Sequence, residues 1–246
     1  MTRIQLQLEP ERKALYAAAS ARLQGVELVS AEADALITDT PGASPLPTLL
    51  DQPDRIDLSS LVDLPSSRIM PAHLWRFSPS VLPVAESRRS GQLGEPGLLR
   101  IHHWLTTPSD PLAMAFAQVD LAHWLFGCRP RHIHTLSREN YLHYHLGFPD
   151  GGMALIDIAT SRPGEENYYS MHLVGSEGAA YADDHRNVHL QFGAHGARAH
   201  LHTHNELLAV QAMLAEFLTG LREDHHWSVE LSETHNALET AREALN

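Results

Sequence analysis

In 246 residues the chain has one lysine, Lys13, and one cysteine, Cys128. A single cysteine excludes an intrachain disulfide and a thiolate-built metal cluster, and fits a reducing compartment. Cations are scarce: 18 Lys and Arg stand against 30 Asp and Glu, a formal charge of -12. No basic face of the size that neutralises phosphates is available, so nucleic acid is not an expected partner. Eighteen histidines tie that acidity to neutral pH, because imidazoles protonate below about pH 6.5. Long apolar runs are missing too. Nowhere do about 18 apolar residues follow one another as a membrane helix requires, and MTRIQLQLEPERK has no uninterrupted apolar core of signal-peptide length. A cytoplasmic, soluble protein without a membrane partner is expected.

A hydrophobic content of 43% is enough to bury one sizeable core, or a large and a small domain sharing an interface. The first stretch alternates strand and helix. RIQLQL has strand periodicity, PERKALYAAASARLQ has helical composition, and GVELVS and ALITDT read as two more strands, the last ending in PGASP. Between Pro41 and Ser67 the only further strand candidate is RIDLSSLV. This predicts a small βαβ domain with a parallel sheet over residues 1–68, too short to stand alone. A dinucleotide-binding turn after its first strand needs glycines, so that backbone N–H groups can approach a pyrophosphate at the helix N-terminus. The turn here is LEPER: Pro10 lacks an N–H, and Glu9 and Glu11 put negative charge where a phosphate needs positive potential.

From Ile69 onward the landmarks become specific. HLWRFSPSVLPVAESRRSGQLGEPGLLRIHHW, then DLAHWLFGCRP, YLHYHLGFPDGGMALIDIA, MHLVGSEGAAYAD and the closing ELLAVQAMLAEFLTGL and SVELSETHNALETAREAL follow in order. In this order they resemble the C-terminal domain of the Gfo/Idh/MocA oxidoreductase family, with its Arg-Phe-x-Pro element, Gly turns, Asp-Gly hairpin and final helices. The likeness spans residues 69–246, and ALITDTP loosely resembles the family's Thr-Pro turn. It implies an α/β fold: a truncated Rossmann-like βαβ unit followed by an α+β C-terminal domain with an open, mostly antiparallel sheet that pairs subunits. It also implies nicotinamide-dependent redox chemistry on a sugar, inositol or related ligand.

The family's working parts are checked residue by residue. Its Glu-Lys-Pro element has no counterpart in IDLSSLVDLPSS, and Lys13 lies in the first helix. Its Asp-x-x-x-His pair, counted back from Asp120, falls on Ala113 and Ala117, one face of a helix that Ser109 or Asp110 can cap. Arg76 matches the Arg-Phe-x-Pro arginine, as an anion clamp or a structural brace. Asp120 matches the second aspartate, and His123, one turn on, is a candidate substitute base. Two readings follow. One is a non-catalytic or partner-dependent subunit without a cofactor, a homo-oligomer or the companion of a catalytic paralogue, able to keep a polyol-like ligand. The other is an NAD(P)-dependent oxidoreductase with substitute groups among His73, Arg76, His102, Asp120 and His123.

The histidines also suggest an alternative chemistry. His200, His202 and His204 alternate along a strand pattern, as do His143 and His145. Two such strands side by side could form an all-imidazole metal site, although any sheet with one wet face shows the same alternation. No Ser lies in a Gly-x-Ser-x-Gly elbow, so serine hydrolase chemistry is not indicated.

Overall fold

The computed structural model describes residues 1–246 other than 43, 164–165, 184–187, 194–195, 201–204, 224–225, 244 and 246, and for 188–193 and 196–200 the backbone course alone. The chain divides into two compact units, residues 1–77 with 205–236 and residues 78–204 with 237–246.

The first unit is built on five parallel strands: β1 (Thr2–Gln7), β2 (Val26–Val29), β3 (Ala35–Thr38), β4 (Thr48–Leu50) and β5 (Ile69–Pro71). They lie in the order β2-β1-β3-β4-β5. β3, β4 and β5 are buried at every position, the continuous apolar run that a parallel sheet covered on both faces requires. Helix α1 (Pro10–Ser20) starts on a proline and turns Tyr16 and Ala19 inward. Helix α5 (Glu206–Arg222) is capped by Asn205, whose side chain accepts the Leu208 N–H at 3.2 Å. Its Val210, Met213, Leu214 and Phe217 pack with Ile4, Tyr16, Ile37, Leu49 and Met70 in one core. Each such side chain contributes roughly 2 kcal/mol of burial.

Two expectations are corrected here. RIDLSSLV is not a strand: after a 3-10 turn at Pro53–Arg55 it forms helix α2 (Leu58–Val62), of which only Leu61 is buried. The sheet is completed instead by β4 and β5, three residues each, too short to show a period. The division expected at 68/69 falls at 77/78, because β5 pairs with β4 and residues 205–236 return to the first unit.

The second unit begins with α3 (Leu82–Arg89), followed by β6 (Pro96–Trp104), α4 (Pro111–Phe126), β7 (His132–Arg138), β8 (Tyr141–Gly147), β9 (Met153–Ala159), β10 (Tyr168–Gly175), β11 (Ala179–Asp183), β12 (Val188–Gly193) and β13 (Gly196–His200). Helix α6 (Leu231–Glu243) begins in the first unit and ends in this one. The sheet runs β13-β12-β11-β10-β6-β9-β8-β7, antiparallel except for the parallel pair β6 and β9. Asp110 caps α4 by accepting the Leu112 N–H at 2.9 Å, and Gly127 closes the helix in the left-handed region. One face of the sheet is dry. Leu99, Ile101, Tyr144, Ile156 and Met171 are buried there, and α4 lies against β6 and β9. Across β10, β6, β9 and β8 the other face carries the alternate positions, among them Ser170, His102, Asp157 and His143. The fold is thus a shortened Rossmann-like unit and a C-terminal domain with an open, mostly antiparallel sheet, and none of its described helices is long and apolar enough to cross a membrane.

Candidate functional site

In a parallel α/β sheet, ligands sit outside the carboxyl ends of the strands where the strand order reverses. In the first unit that point lies between β1 and β3, the two neighbours whose chains leave in opposite directions. Its residues are acidic. Glu9 precedes α1 with no side-chain cap, and the Glu9 N–H is directed to Asp39 Oδ2 at 3.4 Å. A carboxylate therefore stands at the helix start, where a pyrophosphate would have to lie.

The nearby cation is already engaged. Arg12 donates to both oxygens of Asp51, Nε to Oδ2 at 2.8 Å and Nη2 to Oδ1 at 2.7 Å, and to Glu206 Oε1 at 2.6 Å. Tyr16 donates to Asp51 Oδ1 at 2.9 Å, and the Arg12 guanidinium lies over its ring. Burial and then the Asp51 charge push the Tyr16 phenol well above its ordinary range. Burial works against the Arg12 charge, but the hydrogen bond and charge of Asp51 outweigh it and keep the guanidinium protonated. The residues present do not fit a dinucleotide pyrophosphate: the turn has no glycine, two carboxylates flank it, and its arginine is neutralised.

His73 and Arg76 also belong to the first unit. His73 Nε2 lies 2.7 Å from Thr234 Oγ1, and Arg76 Nη1 donates to Glu233 Oε1 at 2.9 Å. Glu233 in turn accepts the Glu230 N–H at 2.9 Å, closing the first turn of α6. Both candidates thus tie the 3-10 turn Leu74–Phe77 to α6. Asp120 and His123 are buried one turn apart on α4, and Ala113 and Ala117 sit half-buried on the same helix. Methyl groups occupy those two slots, so neither can carry a proton.

His102 lies on the face of the sheet opposite α4. Its neighbour His103 faces the helix, where Gln118 Nε2 lies 3.1 Å from His103 Nδ1, both buried. The alternation Leu99, Ile101, His103 carried that information. The partners of His102 are on its own face, in one row across four strands: Ser170, His102, Asp157 and His143. His102 Nδ1 lies 3.0 Å from Ser170 Oγ, His102 Nε2 3.2 Å from Asp157 Oδ2, and His143 Nδ1 2.8 Å from Asp157 Oδ1. Tyr141 donates its phenol to the same Oδ1.

Burial alone would raise the Asp157 carboxyl; hydrogen bonds from Tyr141 and His143 bring it below the usual carboxylate range. Tyr141 is pushed up to about 12 by burial and by that hydrogen bond. The residue types Ser, His and Asp are those of a hydrolase triad, yet Ser170 has 0% exposure and its hydroxyl cannot reach a substrate. Asp157, Tyr141 and Ser170 are not among the residues that the sequence singles out. The available signal was a lone carboxylate inside the apolar strand MALIDIA.

The two histidine strands of the metal expectation are not neighbours. His143 and His145 are on β8, His200 ends β13, and five strands separate them. His202 and His204 lie outside the described residues. Among the described residues no group of three or more His, Cys, Asp or Glu is placed to hold a metal. Cys128 is not an activated thiol: burial and the Asp150 charge raise it.

No protein-family profile matches the sequence, and no curated protein does. Solved structures do. A dehydrogenase from Chromobacterium violaceum superposes with a TM-score of 0.81 at 14% identity, covering 100% of this chain and 95% of its own. A myo-inositol dehydrogenase from Corynebacterium glutamicum gives 0.75 at 16% identity, covering 100% and 96%. An oxidoreductase from Agrobacterium radiobacter, in complex with NAD+, L-tartaric acid and magnesium, gives 0.79 at 12% identity, covering 99% and 95%. The parallel unit and the open sheet together define a two-part dehydrogenase fold. It is the fold of the Gfo/Idh/MocA-type oxidoreductases, shared along the whole chain.

Proposed function

We propose that this chain is an oxidoreductase-fold protein without hydride transfer of its own, a non-catalytic or partner-dependent subunit that pairs through its eight-stranded sheet with copies of itself or with an active paralogue. The observation that carries this reading is the acidic strand-order reversal, where Asp39 stands at the start of α1 and Arg12 is held by Asp51 and Glu206. The alanines at 113 and 117 and the absence of any lysine beyond Lys13 support it independently. A polyol-like ligand remains compatible with it.

The second reading is an NAD(P)-dependent oxidoreductase acting on a sugar, polyol or biosynthetic intermediate. It is favoured by the NAD+ in the Agrobacterium radiobacter neighbour, which matches along almost the whole length. Calorimetric titration of the purified protein with NADH and NADPH separates the two. No heat at millimolar nucleotide, from a folded sample and at two temperatures, is the expected result; micromolar binding of either nucleotide would overturn the first reading in favour of the second.

A further inference from the structure

The open face of the sheet is made of the strand positions that alternate with the dry core. Reading across the register, its rows include Tyr168, Trp104 and Tyr141; then Ser170, His102, Asp157 and His143; then Tyr181, His172, Arg100 and His145. Leu136 and Met153 stand exposed among them. Trp104 packs against Tyr168 and His102, with ring centroids 5.1 and 5.2 Å apart, and the Arg162 guanidinium lies 5.1 Å over its ring. The Trp104 indole N–H is buried and has no acceptor among the described residues. Tyr, Trp, Met and Arg with no Lys or Glu is the composition of an interface core, not of a solvated face.

Size and charge identify what covers it. Eight strands about 4.8 Å apart and seven residues of about 3.3 Å make a plane of roughly 800 Å², what each partner contributes to a standard interface. With imidazoles neutral, Arg100 and Arg138 balance Asp157 and Asp183, and Arg162 stands at the margin. On a chain of charge -12 this face is close to neutral, so two copies meeting there bring no uncompensated like charges into direct contact. The balance holds only while six histidines stay neutral: His102, His132, His134, His143, His145 and His172.

We propose that this face is a proton-controlled self-association surface, on which two copies of the chain pair while the imidazoles around Asp157 are neutral and separate as they protonate. The proposal rests on the pairing reading above and adds its occupant, a second copy, and its control. Among the described residues Asp157 is the carboxylate that lies between two imidazoles, His102 and His143, and it can offset one imidazolium. A second proton leaves uncompensated charge in a desolvated interface, opposite the same charge on the partner. Tyr141 donates to Asp157 from β8, Ser170 meets His102 from β10, Arg100 adds positive charge from β6, and Asp183 faces His172, so among the described residues Asp157 is the carboxylate that meets His102 and His143. Burial already pushes His102 and His172 below the ordinary imidazole range, against the opposing charges of Asp157 and Asp183. Burial by a partner extends the same effect. A group held neutral in the pair and free to protonate apart favours pairing at the higher pH and loses that contribution as pH falls through its range in the unpaired chain, which for His102 and His172 lies below the ordinary imidazole range.

Sedimentation equilibrium at pH 7.5 and pH 5.5, with near-ultraviolet circular dichroism at both, tests it. The expected result is a dimer at micromolar concentration at pH 7.5, with a dissociation constant at least tenfold weaker at pH 5.5 and an unchanged circular dichroism spectrum. His143→Gln should flatten that pH response, and Leu136→Glu, at an exposed position, should give a folded monomer at both pH values. A wild-type monomer at pH 7.5 would overturn the pairing reading itself. A dimer equally tight at both pH values would overturn proton control and leave pairing standing. A dimer that survives Leu136→Glu would place the contact on another face and overturn the surface, and loss of the spectrum at pH 5.5 would show unfolding instead of dissociation.

Discussion

Asp51 shows what a single buried carboxylate organises. It is 1% exposed, accepts two hydrogen bonds from Arg12 and one from Tyr16, and sits just beyond β4. Replacing it with Ala leaves a guanidinium and a buried phenol without their acceptor, so Asp51→Ala is expected to lower stability by about 3 kcal/mol in urea denaturation. Glu206→Ala, which removes the half-exposed partner of the same arginine, should cost less than about 1 kcal/mol. A ratio near one between the two would mean that the network is a surface feature. The sequence made the absence of the glycine turn legible, since Pro10 and the two flanking glutamates are local facts. It could not show Arg12 meeting Asp51 and Glu206, which lie 39 and 194 positions away. His102 and Asp157 come together for the same non-local reason: they are a register pair of two parallel strands.

At the scale of elements, the long and strongly patterned pieces were legible and the short buried ones were not. Helix α4 has its proline, its Asp110 cap and its closing Gly127 where local chemistry puts them. β4 and β5 have three residues each, and neither period nor turn can mark so short a run. RIDLSSLV alternates well enough for a strand but sits on the surface as a helix. The Gly turns of the second unit were legible as turns but not as close approaches. At Gly175, where the β10 register shifts, an added Cβ would lie 2.1 Å from the Leu93 carbonyl oxygen, a backbone atom that cannot move aside. Gly175→Ala is therefore expected to cost at least about 2 kcal/mol, as overpacking does, whereas Gly97→Ala, with its nearest atom at 3.6 Å, should stay within about 0.5 kcal/mol. Parallel thermal melts of the two variants check this, and equal melting temperatures would count against the Leu93 contact.

For the whole molecule, the composition allowed one core or a large and a small domain, and it could not show how the chain is shared between two units. The first unit takes residues 1–77 and then 205–236, and its core contains Val210, Met213, Leu214, Phe217 and Val229 beside Ile4, Tyr16 and Leu49. On the ribosome this has a temporal consequence. The five strands of the parallel sheet leave the exit tunnel before the eight-stranded sheet, yet the helix that covers them is made after it. At about 5 to 20 residues per second that interval lasts roughly 6 to 25 seconds, during which the first unit exposes apolar surface that only its own distant segment can cover. A fragment of residues 1–77 is expected to show no cooperative melt, and to acquire one when a peptide spanning 205–236 is added in trans. A segment translated after the whole second sheet, residues 205–236, is thus what completes a unit begun before it.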